Sequence, residues 1–196
     1  MDTIVKKILS VIIPRKLLDI LIYLRVKCSS DRITLEKGIF PFFINSKEYK
    51  NILFVGVANY TSGYPKIFKD TNFWTMDFDP DKKIYGAVNH IVGSVTNIER
   101  YFARDYFNVI FLCGVVGWGL NKKEDIEYAL LGINHCLCRN GILVLGWNDT
   151  PTRSKNLKDG NITTKSFRKY TFSPLGSWEY RTESRKYKVV FNFYQK

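Results

Sequence analysis

Four stretches of the chain carry side chains suited to holding a ligand or moving a proton. The first is Gly56-Val57-Ala58-Asn59-Tyr60-Thr61-Ser62-Gly63, small and turn-forming residues that close the apolar run 51–57. Such a turn lets main chain approach a polar ligand, and a helix start over 64–69 offers free N–H groups beside it. An ordinary strand-to-helix turn would read the same way. The second is Met76-Asp77-Phe78-Asp79-Pro80. Asp79-Pro80-Asp81 suits the cap of a short helix, with proline at a permitted early position, which leaves Asp77 free for other work. The third comprises two places where apolar runs end, Gly93-Ser94-Val95 and Cys113-Gly114. The fourth is Trp147-Asn148-Asp149, with Trp118 earlier in the chain. A carboxylate at Asp149 could act as a general base, and indoles at Trp118 and Trp147 could stack on a sugar or planar ring, with Asn148 beside them. A turn-forming Asn-Asp pair and core-filling tryptophans are the plainer readings.

The elements that must position these residues follow from apolar runs and punctuation. Runs over 51–57, 72–78, 90–95, 107–112 and 142–147 read as buried strands rather than period-two alternation. Helix-compatible sequence separates them, best over 124–138, which carries acids in its first turn and Arg139-Asn140-Gly141 as a stop signal. Strands alternating with helices predict a parallel sheet covered on both faces. Residues 149–170 read as a polar loop or irregular helix. Two final strands, 178–183 and 187–194, close the sheet with an antiparallel hairpin. Residues 3–27 predict two amphipathic helices divided at Pro14. Residues 32–35 suggest a short strand, and Gly38-Ile39-Phe40-Pro41-Phe42-Phe43 a loop that covers a substrate pocket or fills the gap above the core.

Composition narrows the function classes. At 196 residues the chain suits one domain with one core. The expected division is a helical extension and cover over 1–49 and a main domain over 50–196. No segment is long and apolar enough to cross a bilayer. The net charge of +12 admits nucleic acid, an anionic membrane or an anionic substrate, but the lysines are scattered, so most read as solvated. The charge of residues 3–27 is almost all positive, and such a segment can lie on an anionic membrane face or pack on the domain or a second subunit. Cys28, Cys113, Cys136 and Cys138 lack zinc-site spacing; no metal site is expected, and a reduced cytoplasmic setting, at the inner face of a membrane or away from it, fits best. His90 begins a strand and His135 ends a helix, away from the strand ends where a ligand would sit.

In this order the elements resemble the class I S-adenosylmethionine-dependent methyltransferases over about residues 50–196. The resemblance implies a three-layer Rossmann-like mixed sheet of about seven strands, mostly parallel. Gly56 matches the first glycine of the family's cofactor turn. Ala58 and Tyr60 stand where later glycines are usual, and Phe54 where an acid is usual. Asp77 matches the acid that ends the second strand, and so implies a carboxylate for ribose hydroxyls. Gly93-Ser94-Val95 matches the adenine contact, and 108–115, Arg139–Val144 and 175–178 match the later strands and turns. The implied cofactor is S-adenosylmethionine, held by Gly56, Val57, Ala58, Asn59, Tyr60, Asp77, Phe78, Gly93, Ser94, Val95, Cys113 and Gly114. Three functions remain open: methyl transfer to a small molecule such as a saccharide or its precursor, methyl transfer to RNA, and ligand binding without catalysis. The first is preferred over nucleic acid, because no appended RNA-binding module is recognisable.

Overall fold

The computed structural model describes residues 28–153, 166–183 and 188–196, with Ile20, Tyr23, Leu24, Val26 and Leu157. The two helices predicted over 3–27, and the membrane or subunit contact expected of them, lie for the most part outside the described residues.

Among the described residues eight strands form one sheet: β1 (Asn51–Val55), β2 (Asn72–Asp77), β3 (Asn89–Val92), β4 (Phe107–Cys113), β5 (Leu137–Asn148), β6 (Arg168–Lys169), β7 (Glu179–Arg181) and β8 (Val189–Gln195). The order is β3-β2-β1-β4-β5-β8-β6, with β7 also paired to β8. The first five strands run parallel, and β8 is antiparallel to β5, β6 and β7. The eighth strand, absent from the sequence reading, is β6, two residues too short to leave a pattern.

Apolar residues fill both sides of each central strand, so alternate side chains build two cores. Leu53 and Val55 of β1, Ile110 and Leu112 of β4, and Leu143 and Leu145 of β5 face one core. Helix α4 (Lys123–Cys136) closes it with Ile126, Ala129, Leu130 and Ile133. Ile52 and Phe54, Val109 and Phe111, and Ile142 and Val144 face the other. That core is covered by α1 (Ser30–Ile33), a π-helical stretch Thr34–Ile39 and α2 (Phe40–Ile44), with α3 (Tyr64–Ile67) beside them.

This cover corrects two expectations. Residues 32–35 are helical, not a strand, because burial of Leu35 and Ile39 against the sheet overrides the β preference of Ile33 and Thr34. Residues 40–44 are a helical turn started by Pro41, and Phe40 packs edge-on against Tyr64, Phe68, Phe111 and Phe54 at 4.8–6.4 Å. Those rings fill a core; they do not roof a pocket. A third difference lies at 137–141. Helix α4 ends at Cys136 and β5 begins at Leu137. The stop signal is spent inside the strand: pairing with β4 shifts between Phe107 and Val109, and Asn140 takes a left-handed φ of 64°.

Candidate functional site

Chain order reverses between β1 and β4, and the turns leaving the two strands part there around a cleft of about 1130 Å³. Open α/β sheets bind ligands at this switch point. The turn after β1 begins at Gly56, with φ 87°. A Cβ there would lie 2.8 Å from Val115 Cγ2, in the turn after β4, so glycine is what lets the two turns close up. Gly114 also has positive φ, 72°, and its N–H donates to the Gly146 carbonyl at 2.9 Å.

Asp77 ends β2 at the same edge and is 7% exposed. Its Oδ2 accepts from the Val57 N–H at 2.8 Å and its Oδ1 from the Asp79 N–H at 3.0 Å. The carboxylate is thereby clamped to the first turn, and each oxygen keeps a lone pair for a ligand hydroxyl. Asp79 caps the following 3-10 helix through the Asp81 N–H, the role the sequence suggested for it. Gly56, Val57, Ala58, Tyr60 and Asp77 all line the cleft, as do Phe78, Gly93, Ser94 and Val95 on the β2–β3 side. Ser94 also caps the helix after β3. Phe78 is 68% exposed on the rim. Cys113 and Gly114 line the β4 side. Burial pushes the Cys113 thiol up to about 12, so it stays protonated at neutral pH. Asn59 opens a 3-10 turn and does not line the cleft.

The far side belongs to β5 and the loop after β4. Trp147, 6% exposed, forms the floor with its Nε1–H on Asn192 Oδ1 at 2.7 Å. Trp118 stands at the mouth, its Nε1–H bonded to Asn148 Oδ1 at 2.9 Å. The Arg153 guanidinium lies 3.2 Å over the Trp118 ring and donates to the Gly117 carbonyl at 2.8 Å. Asp149 does not line the cleft; its Oδ2 pairs with the Arg181 guanidinium at 2.8 Å. Neither histidine lines the cleft, and among the described residues no cluster of metal-ligating side chains occurs.

The cover supplies residues that sequence reasoning did not assign to the site. Asp31 and Arg32 of α1 line the cleft. Arg32 is 8% exposed, donates from Nη1 to the Tyr64 hydroxyl at 2.9 Å and lies 4.7 Å from the Tyr60 ring. Arg32, Leu35, Ile39 and Phe43 recur at helical spacing, which puts a cation on an apolar helix face. That was the available signal. Burial pushes the Tyr64 phenol up, against the opposing pull of Arg32.

Solved structures share this architecture. The N-methyltransferase NodS of Bradyrhizobium japonicum, crystallised with S-adenosyl-L-homocysteine, superposes with TM-score 0.60 over 88% of this chain and 90% of its own, at 12% identity. The 1,6-didemethyltoxoflavin-N1-methyltransferase of Burkholderia thailandensis does so with TM-score 0.56 over 89% and 83%, at 9% identity. A TehB-like S-adenosylmethionine-dependent methyltransferase of Corynebacterium glutamicum gives 0.55 over 82% and 87%, at 16% identity. The fold is that of the class I S-adenosylmethionine-dependent methyltransferases. No family model and no curated protein sequence matches the chain. Identities this low make the methyltransferase likeness one of fold.

Proposed function

We propose that the protein is an S-adenosylmethionine-dependent methyltransferase acting on a small-molecule acceptor. The observation that carries this reading is Asp77, a buried carboxylate fixed to the glycine turn by the Val57 N–H and turned to a cleft at the sheet's switch point. Two of the structural neighbours bind S-adenosyl-L-homocysteine, which supports a nucleoside ligand here. The residues present suit that ligand. Asp77 can accept from both ribose hydroxyls, Phe78 and Gly93 to Val95 flank a flat base, and Gly56 and Gly114 leave main chain bare for an amino-acid tail. When bound, S-adenosylmethionine supplies a methyl group already activated on a sulfonium.

The chain's own task is then to hold an acceptor in line and keep water away. Trp147 gives a dry floor, and Trp118 an exposed ring at the mouth on which a sugar or planar acceptor can lie. The cleft exceeds the roughly 300–1,000 Å³ of ordinary ligand sites, which leaves room for two small molecules side by side. An acceptor hydroxyl must also lose a proton. Asp31 and Asp125 are carboxylates on the cleft wall besides Asp77, whereas Asp149 is committed to Arg181. Calorimetry with S-adenosyl-L-homocysteine tests the reading. Wild type is expected to bind, and Asp77→Asn to bind at least about tenfold more weakly, the loss of roughly one charge-assisted bond. Failure of wild type to bind removes the assignment.

A further inference from the structure

Trp118 is a ring left in water that the fold nevertheless holds still. It is 59% exposed, yet it is tied on two sides. Its Nε1–H is bonded to Asn148 at the end of β5. One face lies under the Arg153 guanidinium, which is itself anchored on the Gly117 carbonyl. Gly117 has a φ of 83°, and a Cβ there would lie 2.8 Å from that of Arg153, so glycine is what admits the arginine against the loop. The loop also closes on itself, with the Trp118 and Leu120 N–H groups both donating to the Val115 carbonyl. Fixing an exposed side chain costs rotamer freedom, and a ring fixed in advance spares its ligand that cost.

The open face has a definite electrical character. An aromatic face is negative and its edge positive, and a cation over one face draws that density towards itself. The face that remains is poorer in electrons than that of an unpaired indole. It attracts a second cation or the C–H groups of a sugar less, and an electron-rich ring more. Trp118 and Asn148 both line the cleft. The next residue, Gly119, would set a Cβ 3.3 Å from Phe78 Cε1 on the nucleoside side, so the loop crosses the mouth and the indole stands beside the place of the cofactor. Asn148 spends its carbonyl oxygen on the indole, which leaves the Nδ2 hydrogens for a ligand. We propose that the open face of Trp118 stacks a flat, electron-rich aromatic acceptor, a phenol-like or heteroaromatic ring rather than a saccharide; the proposal rests on the methyltransferase reading above and narrows its acceptor. Methyl transfer to such a ring forms a C–O or C–N bond as the sulfonium S–C bond breaks, its electron pair staying on sulfur, and the proton of the attacking group leaves to water. Arg153 acts through Trp118 and is a positioning residue.

The test follows the Trp118 indole N–H signal in NMR spectra of nitrogen-labelled protein saturated with S-adenosyl-L-homocysteine, the signal being assigned with Trp118→Phe. The probes are caffeate and hydroxyquinoline as flat rings, against methyl glucoside and choline. The flat probes are expected to shift the signal at concentrations at least about tenfold lower than the other two, the scale of ring stacking. Trp118→Ala should weaken the flat probes about tenfold in calorimetry. Arg153→Gln, which can still donate to the Gly117 carbonyl but carries no charge, should weaken them about threefold and strengthen choline and the glucoside. An arginine that merely supports the loop would weaken all four alike, and that result overturns the proposal. If Arg153→Gln does not fold, the preference of wild type decides: a glucoside that shifts the signal as readily as the flat probes overturns the proposal. A Trp118 signal indifferent to every probe, in protein that binds S-adenosyl-L-homocysteine, overturns this proposal alone. Failure to bind S-adenosyl-L-homocysteine in calorimetry overturns the cofactor reading and this proposal with it.

Discussion

The two charged ends of the cleft are built by opposite means. At one end Asp77 is held by main chain: the donors are the Val57 and Asp79 N–H groups, one from the turn after β1 and one from its own turn. At the other end Arg32 is held by side chains, Tyr64 through a hydrogen bond and Tyr60 through its ring, and keeps one donor unused. The acid is fixed by the sheet. The cation arrives from a helix outside the sheet and depends on aromatic neighbours. Groups set by main chain are hard to move and easy to read, whereas groups set by side chains are adjustable and leave little trace in local sequence.

Breaking the acid end should have the largest effect. Asp77→Ala removes the ribose contact and also strips two backbone donors of their acceptor, one of them on the buried residue Val57. Each charge-assisted bond contributes about 1.5–3 kcal/mol. The expected outcome is loss of measurable S-adenosyl-L-homocysteine binding together with a fall of several °C in melting temperature. Unaltered melting would show that the clamp on the turn contributes nothing to the fold.

The glycines between the two ends come next, and they differ from each other. Gly56→Ala adds a methyl 2.8 Å from Val115 Cγ2 at a φ of 87°, while Gly114→Ala adds one at a φ of 72° with only Arg32 Nη2 nearby, at 3.8 Å. The left-handed backbone alone costs roughly 1–2 kcal/mol for a residue with a Cβ. Gly56→Ala should therefore destabilise more than Gly114→Ala, and adding Val115→Ala should recover the difference but not the backbone part. Urea unfolding of the three variants separates the two terms. Equal losses at both positions would mean that Val115 simply swings away.

Legibility in the sequence follows the same division. Strands β1, β4 and β5 showed themselves as apolar runs because they are buried on both faces, and Asp77 was recognisable because Asp79 had already accounted for the cap. The Asp149 assignment rested on chain position alone; what it could not contain was Arg181, 32 residues later, reached only when β7 pairs with β8. The helical form of residues 32–35 and 38–43 leaves no local signal because the helix is short and interrupted by a π-helical stretch, and it is held by Phe40 and Phe43 against rings of Phe54, Phe68, Phe111 and Phe172 far along the chain. Such a segment has no strong local preference to detect.

Sharpening the cation end needs a smaller change. Tyr64→Phe keeps the ring contacts with Phe40 and Phe54 and removes the oxygen that accepts from Arg32. The expected loss is about 1–2 kcal/mol of stability from a buried donor left unpaired. Urea unfolding of Tyr64→Phe beside wild type measures this loss. Equal stability of the two proteins would show that the bond between Arg32 and Tyr64 contributes nothing to the fold.

The smallest effect concerns His90, which lies outside the cleft and is fixed by yet another arrangement. Thr75 Oγ1 accepts from the Ala87 N–H at 2.8 Å and shares a hydrogen bond with His90 Nδ1, also at 2.8 Å. Burial holds the ring's pKa below the ordinary 6.5, the attraction of Asp77 being insufficient to offset it, and Lys83 adds to the lowering. The folded chain therefore resists a proton that the unfolded chain accepts. This contribution is intact above about pH 6.5 and is lost as pH falls through the lower, folded-state pKa. Wild type should lose stability to urea between pH 7 and pH 5, and His90→Asn, which can still hydrogen-bond Thr75 but does not titrate, should lose less. Parallel profiles for the two proteins would assign the acid decline to other groups, and with it the imidazole would cease to be a pH-dependent part of the fold.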